Sequence, residues 1–232
     1  MPFSRKKPEI QGGLSGTALK YIAMTAMLAD HIGVVLLERI VYYRGGLERV
    51  AMLMTSQWGD TLYWLWRMLR TVGRIAFPIY CFLLVEGFLH TRDWRRYWLR
   101  MAAFALISEI PFRLAVWNTW AGGSSNVYVE LAIGLLVLRG LKQSEGLTQP
   151  RRAAGMAAVI GGGCLAAVFL KADYDMDGIL IISLFYLLRE KRIVQVMSGG
   201  ILSLLESWNM CYGAGILSAV PLYFYNGKKG QA

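Results

Sequence analysis

Apolar residues of this chain fall in blocks of about 15–20, the length range that approaches a ~30 Å bilayer core, and short charged stretches separate the blocks. The pattern predicts helices over 18–37, 73–90, 97–117, 127–140, 153–170, 178–189, 193–207 and 213–226. Because several of these are shorter than about 20 residues, we expect tilting, local thinning or partial spanning. The predicted fold is all-α, a polytopic transmembrane bundle of about eight helices.

Composition supports the membrane interpretation. The chain has 232 residues, of which 56% are hydrophobic and 17% charged, whereas soluble domains average about 45–50% apolar residues. A water-soluble fold of this length would leave no outer layer to cover so many apolar helices. The three cysteines form no CxxC pair, so neither a disulfide framework nor a zinc site is indicated, and no metal is predicted.

The net charge of +10 is concentrated in alternate loops, which indicates orientation rather than nucleic-acid binding. The loops predicted to be cytoplasmic contain Arg5, Lys6, Lys7, Arg92, Arg95, Arg96, Arg139, Lys142, Arg151, Arg152, Arg189, Lys191, Arg192, Lys228 and Lys229. The opposite loops include the uncharged 118–126 and the acidic 172–177. Eight helices with both termini cytoplasmic satisfy this pattern, so tails 1–17 and 227–232 flank one membrane domain over 18–226.

The segment 38–72 departs from the charge pattern. Five arginines lie there on the predicted outer side, with Trp58, Trp64 and Trp66 among them. Basic and aromatic residues at helical spacing are typical of interfacial helices. A ninth crossing would reverse every later loop, so we expect an interfacial or re-entrant segment near 47–72.

Ionisable residues inside membrane helices indicate function by default, because they are costly to bury. The predicted topology places seven of them near the extracytoplasmic helix ends: Asp30, His31, Arg74, Glu109, Arg113, Glu130 and Glu206. Pro111 removes a helical hydrogen bond and can open the backbone beside its neighbours. Together these residues outline a polar cavity. The alternative is that they form buried ion pairs that only fix helix register.

His31 is the principal candidate for catalysis, because a neutral imidazole can take a proton from an amine or hydroxyl near neutral pH. Asp30 cannot face it, since adjacent helical residues point about 100° apart. A carboxylate from another helix, for which Glu109 is the candidate, would orient the imidazole. The alternative is an Asp-His pair that only ties helices together.

A second histidine, His90, ends the second predicted helix and precedes a run of arginines: Arg92, Arg95, Arg96 and Arg100. The run is either a positive-inside anchor, with Thr91 or Asp93 capping the next helix, or a docking surface for a phosphorylated cytoplasmic ligand. The DYDMDG stretch (173–178) begins like a calcium loop, but its twelfth position is Leu184. We therefore interpret it as a helix N-cap region.

Several blocks of the sequence resemble the TraX family, named for a conjugal-transfer membrane protein that acetylates the N-terminus of pilin. These blocks are LKYIAMTAMLADHIG (19–33), the segment 73–112 with GRIAFPI and EGFLHT, ADYDMDGILIISLFYLLR (172–189) and YNGKKG (225–230). The resemblance extends over nearly the whole chain in order. It leaves 34–72 without a recognisable motif.

The resemblance implies a bacterial inner-membrane acetyltransferase related to transmembrane acyltransferases, with acetyl-CoA as donor and no nucleic-acid partner. Carried onto this chain, it implies catalytic His31, Asp30 and Glu109, substrate or transition-state contacts from Arg74, Arg113 and Glu86, and donor binding by His90 and the arginines that follow it. The acceptor is a membrane-associated or extracytoplasmic amine or hydroxyl. Whether His31 or His90 is the base stays open. A transporter or channel that uses the buried charges as a path, and a non-catalytic scaffold, are the alternatives.

Overall fold

The computed structural model describes residues 12–43, 55–56, 58–120 and 122–230. Within them the chain forms eight α-helices of 13 or more residues, one π-helix, a 3-10 helix and a final short α-helix. They are α1 (Gly16–His31), the π-helix (Ile32–Tyr43), α2 (Gly59–Gly73), α3 (Ala76–His90), α4 (Trp94–Trp117), α5 (Val127–Ser144), α6 (Gln149–Phe169), α7 (Asp175–Leu187), α8 (Arg192–Cys211), the 3-10 helix (Ala214–Ser218) and α9 (Ala219–Tyr223). The only β pairing in this part of the chain is a single bridge between Leu14 and Tyr225. The all-α prediction is confirmed.

The chain divides into two compact units. The terminal unit combines residues 1–83 with 188–232, and the central unit is residues 84–187. In the terminal unit α1 packs against α2 and the π-helix, and α8 packs against the 3-10 helix and α9. Asp30 and His31 therefore share a unit with the C-terminal helices, although most of the sequence separates them.

The central unit is built around α5, which contacts α4, α6 and α7. Small residues allow these close contacts. A Cβ at Gly163 of α6 would meet Val137 and Ile179, and one at Gly140 of α5 would meet Val159. The run of small residues at 153–167 in α6 is thus partly a packing face, because small side chains let helices approach closely.

Many large apolar side chains are exposed, while several polar ones are buried. The exposed fractions are 86% for Phe169, 77% for Leu106 and 74% for Leu165, against 0% for Glu130, Ser203 and Ser207. Within the described residues, three stretches are long and apolar enough to cross a membrane: Gly16–Leu37, Gly59–His90 and Gln149–Phe169. Many exposed apolar side chains together with buried charged and polar ones are unfavourable in water and suit a lipid environment, so both observations indicate a membrane protein.

One predicted helix differs from the structure, and part of the predicted interfacial segment lies outside the described residues. The eighth predicted helix, 213–226, is instead the 3-10 helix followed by five residues of α9. Gly213 has φ +74° there, and Gly215 lies against the Ser203 backbone without room for a Cβ, so the chain folds back onto α8. In the predicted interfacial segment, α2 accounts for 59–72, while 44–54 lie outside the described residues, as do residues 1–11 of the predicted tail.

Candidate functional site

Four charged side chains of the terminal unit form one partly buried network. Arg70 Nη1 lies 2.7 Å from Asp30 Oδ2, and Arg74 lies between Asp30 Oδ1 (3.8 Å) and Glu206 Oε1 (3.5 Å). Their side chains are only 10–18% exposed. Two carboxylates thus balance two guanidinium groups, the pairing that buried charges require.

Two glycines let α1 and α2 approach closely at this network. Any Cβ at Gly73 would collide with the Asp30 side chain, and one at Gly33 would crowd Leu69 and Arg70. The DHIG and GRIAFPI blocks are therefore spatial neighbours: Gly73 of the second faces Asp30 of the first, while Gly33 of the first faces Leu69 and Arg70, just before the second block. This is a local reason for glycine in both blocks.

His31 is the last residue of α1 and precedes the π-helix. Its Nδ1 lies 2.9 Å from the Met27 carbonyl oxygen, one turn earlier in the helix. A carbonyl oxygen only accepts, so Nδ1 carries the hydrogen in this bond and Nε2 carries the lone pair of the neutral ring. Changes from α to π geometry are frequent at functional sites. The arrangement can supply a base of fixed tautomer beside the ion network.

In the central unit, Glu109 and Arg113 serve to hold a loop. Arg113 Nε donates to Glu109 Oε1 (2.6 Å), and its Nη1 donates to the Gly122 carbonyl (3.1 Å). The other Glu109 oxygen accepts from the backbone and side-chain amides of Asn126, whose side-chain oxygen caps α5. Helix α4 continues through Pro111. His31 and Glu109 belong to different units, so the proposed orientation of the imidazole by Glu109 stays a prediction.

His90 repeats the local geometry of His31. Its Nδ1 lies 2.7 Å from the carbonyl oxygen of Glu86, a residue only 6% exposed. Asp93 caps α4 by accepting from two backbone N–H groups, as one of the sequence interpretations predicts. Four arginines at this position are exposed: Arg92, Arg95, Arg96 and Arg100. These side chains can form hydrogen bonds with phosphate groups. The cap is confirmed, and the phosphate-docking interpretation stays a prediction.

The acidic DYDMDG stretch leads into α7, whose first turn contains Asp175 and Asp177. Glu130 of α5 is fully buried against Gly178, where any Cβ would meet its carboxylate. The backbone of Tyr174, just before α7, is a polar group near the Glu130 carboxylate. Acidic residues at a helix N-terminus are favourable, so this stretch is the predicted N-cap region.

Sequence reasoning did not identify Arg70 as a partner of the candidate site. It grouped Arg70 with the other arginines of the interfacial segment, whereas the structure pairs it with Asp30 at 2.7 Å. A sequence signal was present, because Arg70 and Arg74 are four residues apart and such residues lie on one helix face. Glu206 was placed at the correct helix end, but nothing in the sequence identified Arg74 as its partner.

The sequence is similar to a known protein and to one family model. The chain is 28% identical to the "Probable fimbrial assembly protein FimC, serogroup H1" of Dichelobacter nodosus over 247 aligned positions, which cover 93% of this chain and 86% of that protein. No solved structure matches significantly. The TraX protein family model matches residues 15–219, and the terminal YNGKKG segment lies beyond that match. Because the match covers most of the chain, including the DHIG, GRIAFPI and EGFLHT blocks, the chain belongs to the TraX family.

Proposed function

We propose that this protein is an acetyltransferase of the bacterial cytoplasmic membrane, which moves the acetyl group of cytoplasmic acetyl-CoA to an amine or hydroxyl of an acceptor at the membrane or on its far side. Membership of the TraX family supports acetyl transfer. The name of the Dichelobacter relative, a probable fimbrial assembly protein, supports a fimbrial subunit as the acceptor class. The observation that carries the proposal is His31, whose Nδ1 hydrogen bond fixes its tautomer beside the Asp30 network.

The proposed chemistry is general-base catalysis of acyl transfer. Nε2 of His31 takes the proton from the acceptor as its nitrogen or oxygen attacks the thioester carbonyl carbon. The tetrahedral intermediate collapses as the carbon–sulfur bond breaks, and the imidazolium returns the proton to the leaving CoA thiolate. We expect Arg74 to stabilise the oxyanion, because a guanidinium stabilises developing negative charge far more strongly in a site that excludes water than in bulk water.

Asp30 has a different role in this proposal. Its carboxylate contacts Arg70 and Arg74 and thereby holds both guanidinium groups in place. The arginines therefore stay where charge develops, and they need no reorganisation during the reaction. Roles for Glu86, Glu109 and Arg113 in contacting the substrates remain predictions of the family resemblance.

The donor would bind at the exposed arginines around the start of α4. A planar guanidinium can form two parallel hydrogen bonds to one phosphate, which suits the phosphate groups of CoA. The positive-inside pattern predicts that this segment is cytoplasmic, on the side where acetyl-CoA is available. Donor and acceptor would then reach the site from opposite sides of the membrane.

The test uses purified protein in lipid nanodiscs, with isotope-labelled acetyl-CoA and a peptide that carries the N-terminal residues of a fimbrial subunit. We expect His31→Gln to lower kcat by about 10²–10⁴-fold, the usual contribution of a general base. His90→Gln is the matched control, because its Nδ1 makes the same bond to a carbonyl one turn away. It should raise KM for acetyl-CoA and leave kcat unchanged. A loss of kcat in His90→Gln alone would reassign the base.

A further inference from the structure

The terminal YNGKKG segment (225–230) is hydrogen-bonded to the start of α1. Leu14 donates its N–H to the Phe224 carbonyl (2.7 Å), and Asn226 donates its own to the Leu14 carbonyl (2.9 Å). Beyond this pair, the N–H groups of Gly16 and Thr17 donate to the carbonyls of Lys228 (2.8 Å) and Lys229 (2.9 Å). The first N–H groups of a helix lack intrahelical partners, and here the C-terminal segment provides them.

Side chains reinforce this contact between the two ends of the chain. Asn226 Nδ2 donates to the Gly13 carbonyl (2.8 Å), while its Oδ1 accepts from the Lys228 N–H (2.9 Å). Thr17 Oγ1 donates to the Lys229 carbonyl (2.9 Å). Asn226 thus makes hydrogen bonds both to the N-terminal segment and within its own turn. It is the residue whose loss removes the most from this contact.

The same segment contacts two other helices of the terminal unit. The Tyr225 ring meets Phe82 of α3 edge to face, with centroids 5.4 Å apart. The Arg192 guanidinium of α8 lies 5.2 Å from the Tyr225 ring centroid and donates to the Leu222 carbonyl (2.9 Å). The C-terminal segment therefore joins the start of α1, the middle of α3 and the start of α8.

Two of these helices also contribute to the ion network. Asp30 lies near the far end of α1, Glu206 lies near the far end of α8, and Arg74, which contacts both, caps the end of α2 two residues before α3 begins. An α-helix is stiff and α1 is about 24 Å long, so a displacement at its first turn reaches its last. We propose that residues 225–230 form a C-terminal clasp that fixes the position of α1 along its axis, with Asn226 as the positioning residue for His31.

The experiment measures hydrogen–deuterium exchange and kinetics of Asn226→Ala in nanodiscs. Loss of two hydrogen bonds should speed exchange of the amides at 14–17 by at least about fivefold and leave those of α5 unchanged. The kinetic expectation rests on the proposed function: kcat falls about tenfold and KM for acetyl-CoA stays constant. Lys229→Ala is the matched control, because it keeps the backbone carbonyl that α1 contacts, and it should match the wild type in both measurements.

Unchanged exchange at 14–17 in Asn226→Ala would overturn the clasp, whatever the activity. Faster exchange with wild-type kcat would overturn the positioning role. If the wild type itself transfers no acetyl group, the proposed function fails and exchange alone decides the clasp. Should Asn226→Ala not fold, Thr17→Val and Thr17→Ser replace it. Only the valine variant lacks the hydroxyl donor, so only in that variant should the amides at 14–17 exchange faster. Equal exchange of these amides in the two variants would also overturn the clasp.

Discussion

Asp30 is the residue on which the terminal unit's ion network depends. Its two oxygens contact two different arginines, so its removal would leave both Arg70 and Arg74 with less negative charge in a site that is only 10–18% exposed. Removal of one partner from a buried ion pair is costly because the remaining charge is poorly solvated. Such a network stabilises the fold only when it is complete.

We expect Asp30→Ala to lower the free energy of unfolding by about 3–5 kcal/mol. The measurement is reversible unfolding in mixed detergent micelles. Arg96→Ala provides the control, since the Arg96 side chain that pairs with Asp93 is 79% exposed. Exposed ion pairs contribute at most about 1 kcal/mol to the free energy of unfolding. Equal losses in the two variants would contradict the burial of the network.

At the scale of elements, the packing of α1 on α2 depends on Gly73. Any Cβ there overlaps the Asp30 side chain, so Gly73→Ala must move either the carboxylate or α2. We expect Gly73→Ala to lower the free energy of unfolding by about 1–3 kcal/mol, the usual range for overpacking. The variant should also lose acetyl transfer. Both are measured on the nanodisc-reconstituted protein.

Gly161→Ala in α6 is the control for this variant. Nothing lies within 4 Å of a Cβ at that position, and alanine is favoured over glycine inside a helix by about 0.5–1 kcal/mol. It should therefore fold at least as stably as the wild type. A Gly73→Ala protein that behaves like Gly161→Ala would show that α1 and α2 do not approach as closely as described.

The loop between α4 and α5 depends on Asn126, which is 3% exposed. Its side chain caps α5 and donates to both the Ala105 carbonyl and Glu109. Because buried partners would be left unsatisfied, Asn126→Ala should cost about 2–4 kcal/mol. Ser124→Ala, which removes one exposed hydrogen bond to Asp173, should cost under about 1 kcal/mol. Thermal unfolding of the two variants makes the comparison, and equal melting temperatures would refute the role of the cap.

The helices could be predicted from the sequence because lipid-facing residues form long apolar blocks. Which helices pack against each other could not be predicted. The Asp30–Arg70 pair depends on α1 and α2 being neighbours, and no residue spacing shows that. The π-helix after His31 has the same apolar character as an α-helix, so its different winding leaves no sequence signal. The last predicted helix failed because Gly213 and Gly215 allow a fold-back within an apolar run. For the candidate site, the sequence therefore predicted its residue types better than their pairing.

At the scale of the whole molecule, the arrangement of charges predicts sidedness. Cytoplasmic termini require that the loop 118–126 face outward and the turn after α5 face inward. Single cysteines at Ser124 and Gln143, in a variant without Cys81, Cys164 and Cys211, test this with a membrane-impermeant thiol reagent. In intact cells we expect labelling at position 124 only. Labelling at 143 only would contradict the topology.

In the proposed function, His31 acts as the general base while the acetyl group passes from a cytoplasmic donor to an acceptor across the membrane. The most direct measurement uses sealed vesicles of known protein orientation, with labelled acetyl-CoA on the cytoplasmic face and the fimbrial-subunit peptide on the other. We predict labelled peptide with the wild type and about 10²-fold less or lower with His31→Gln. Equal labelling by the two proteins, or labelling only when donor and peptide share the outer face, would contradict the account.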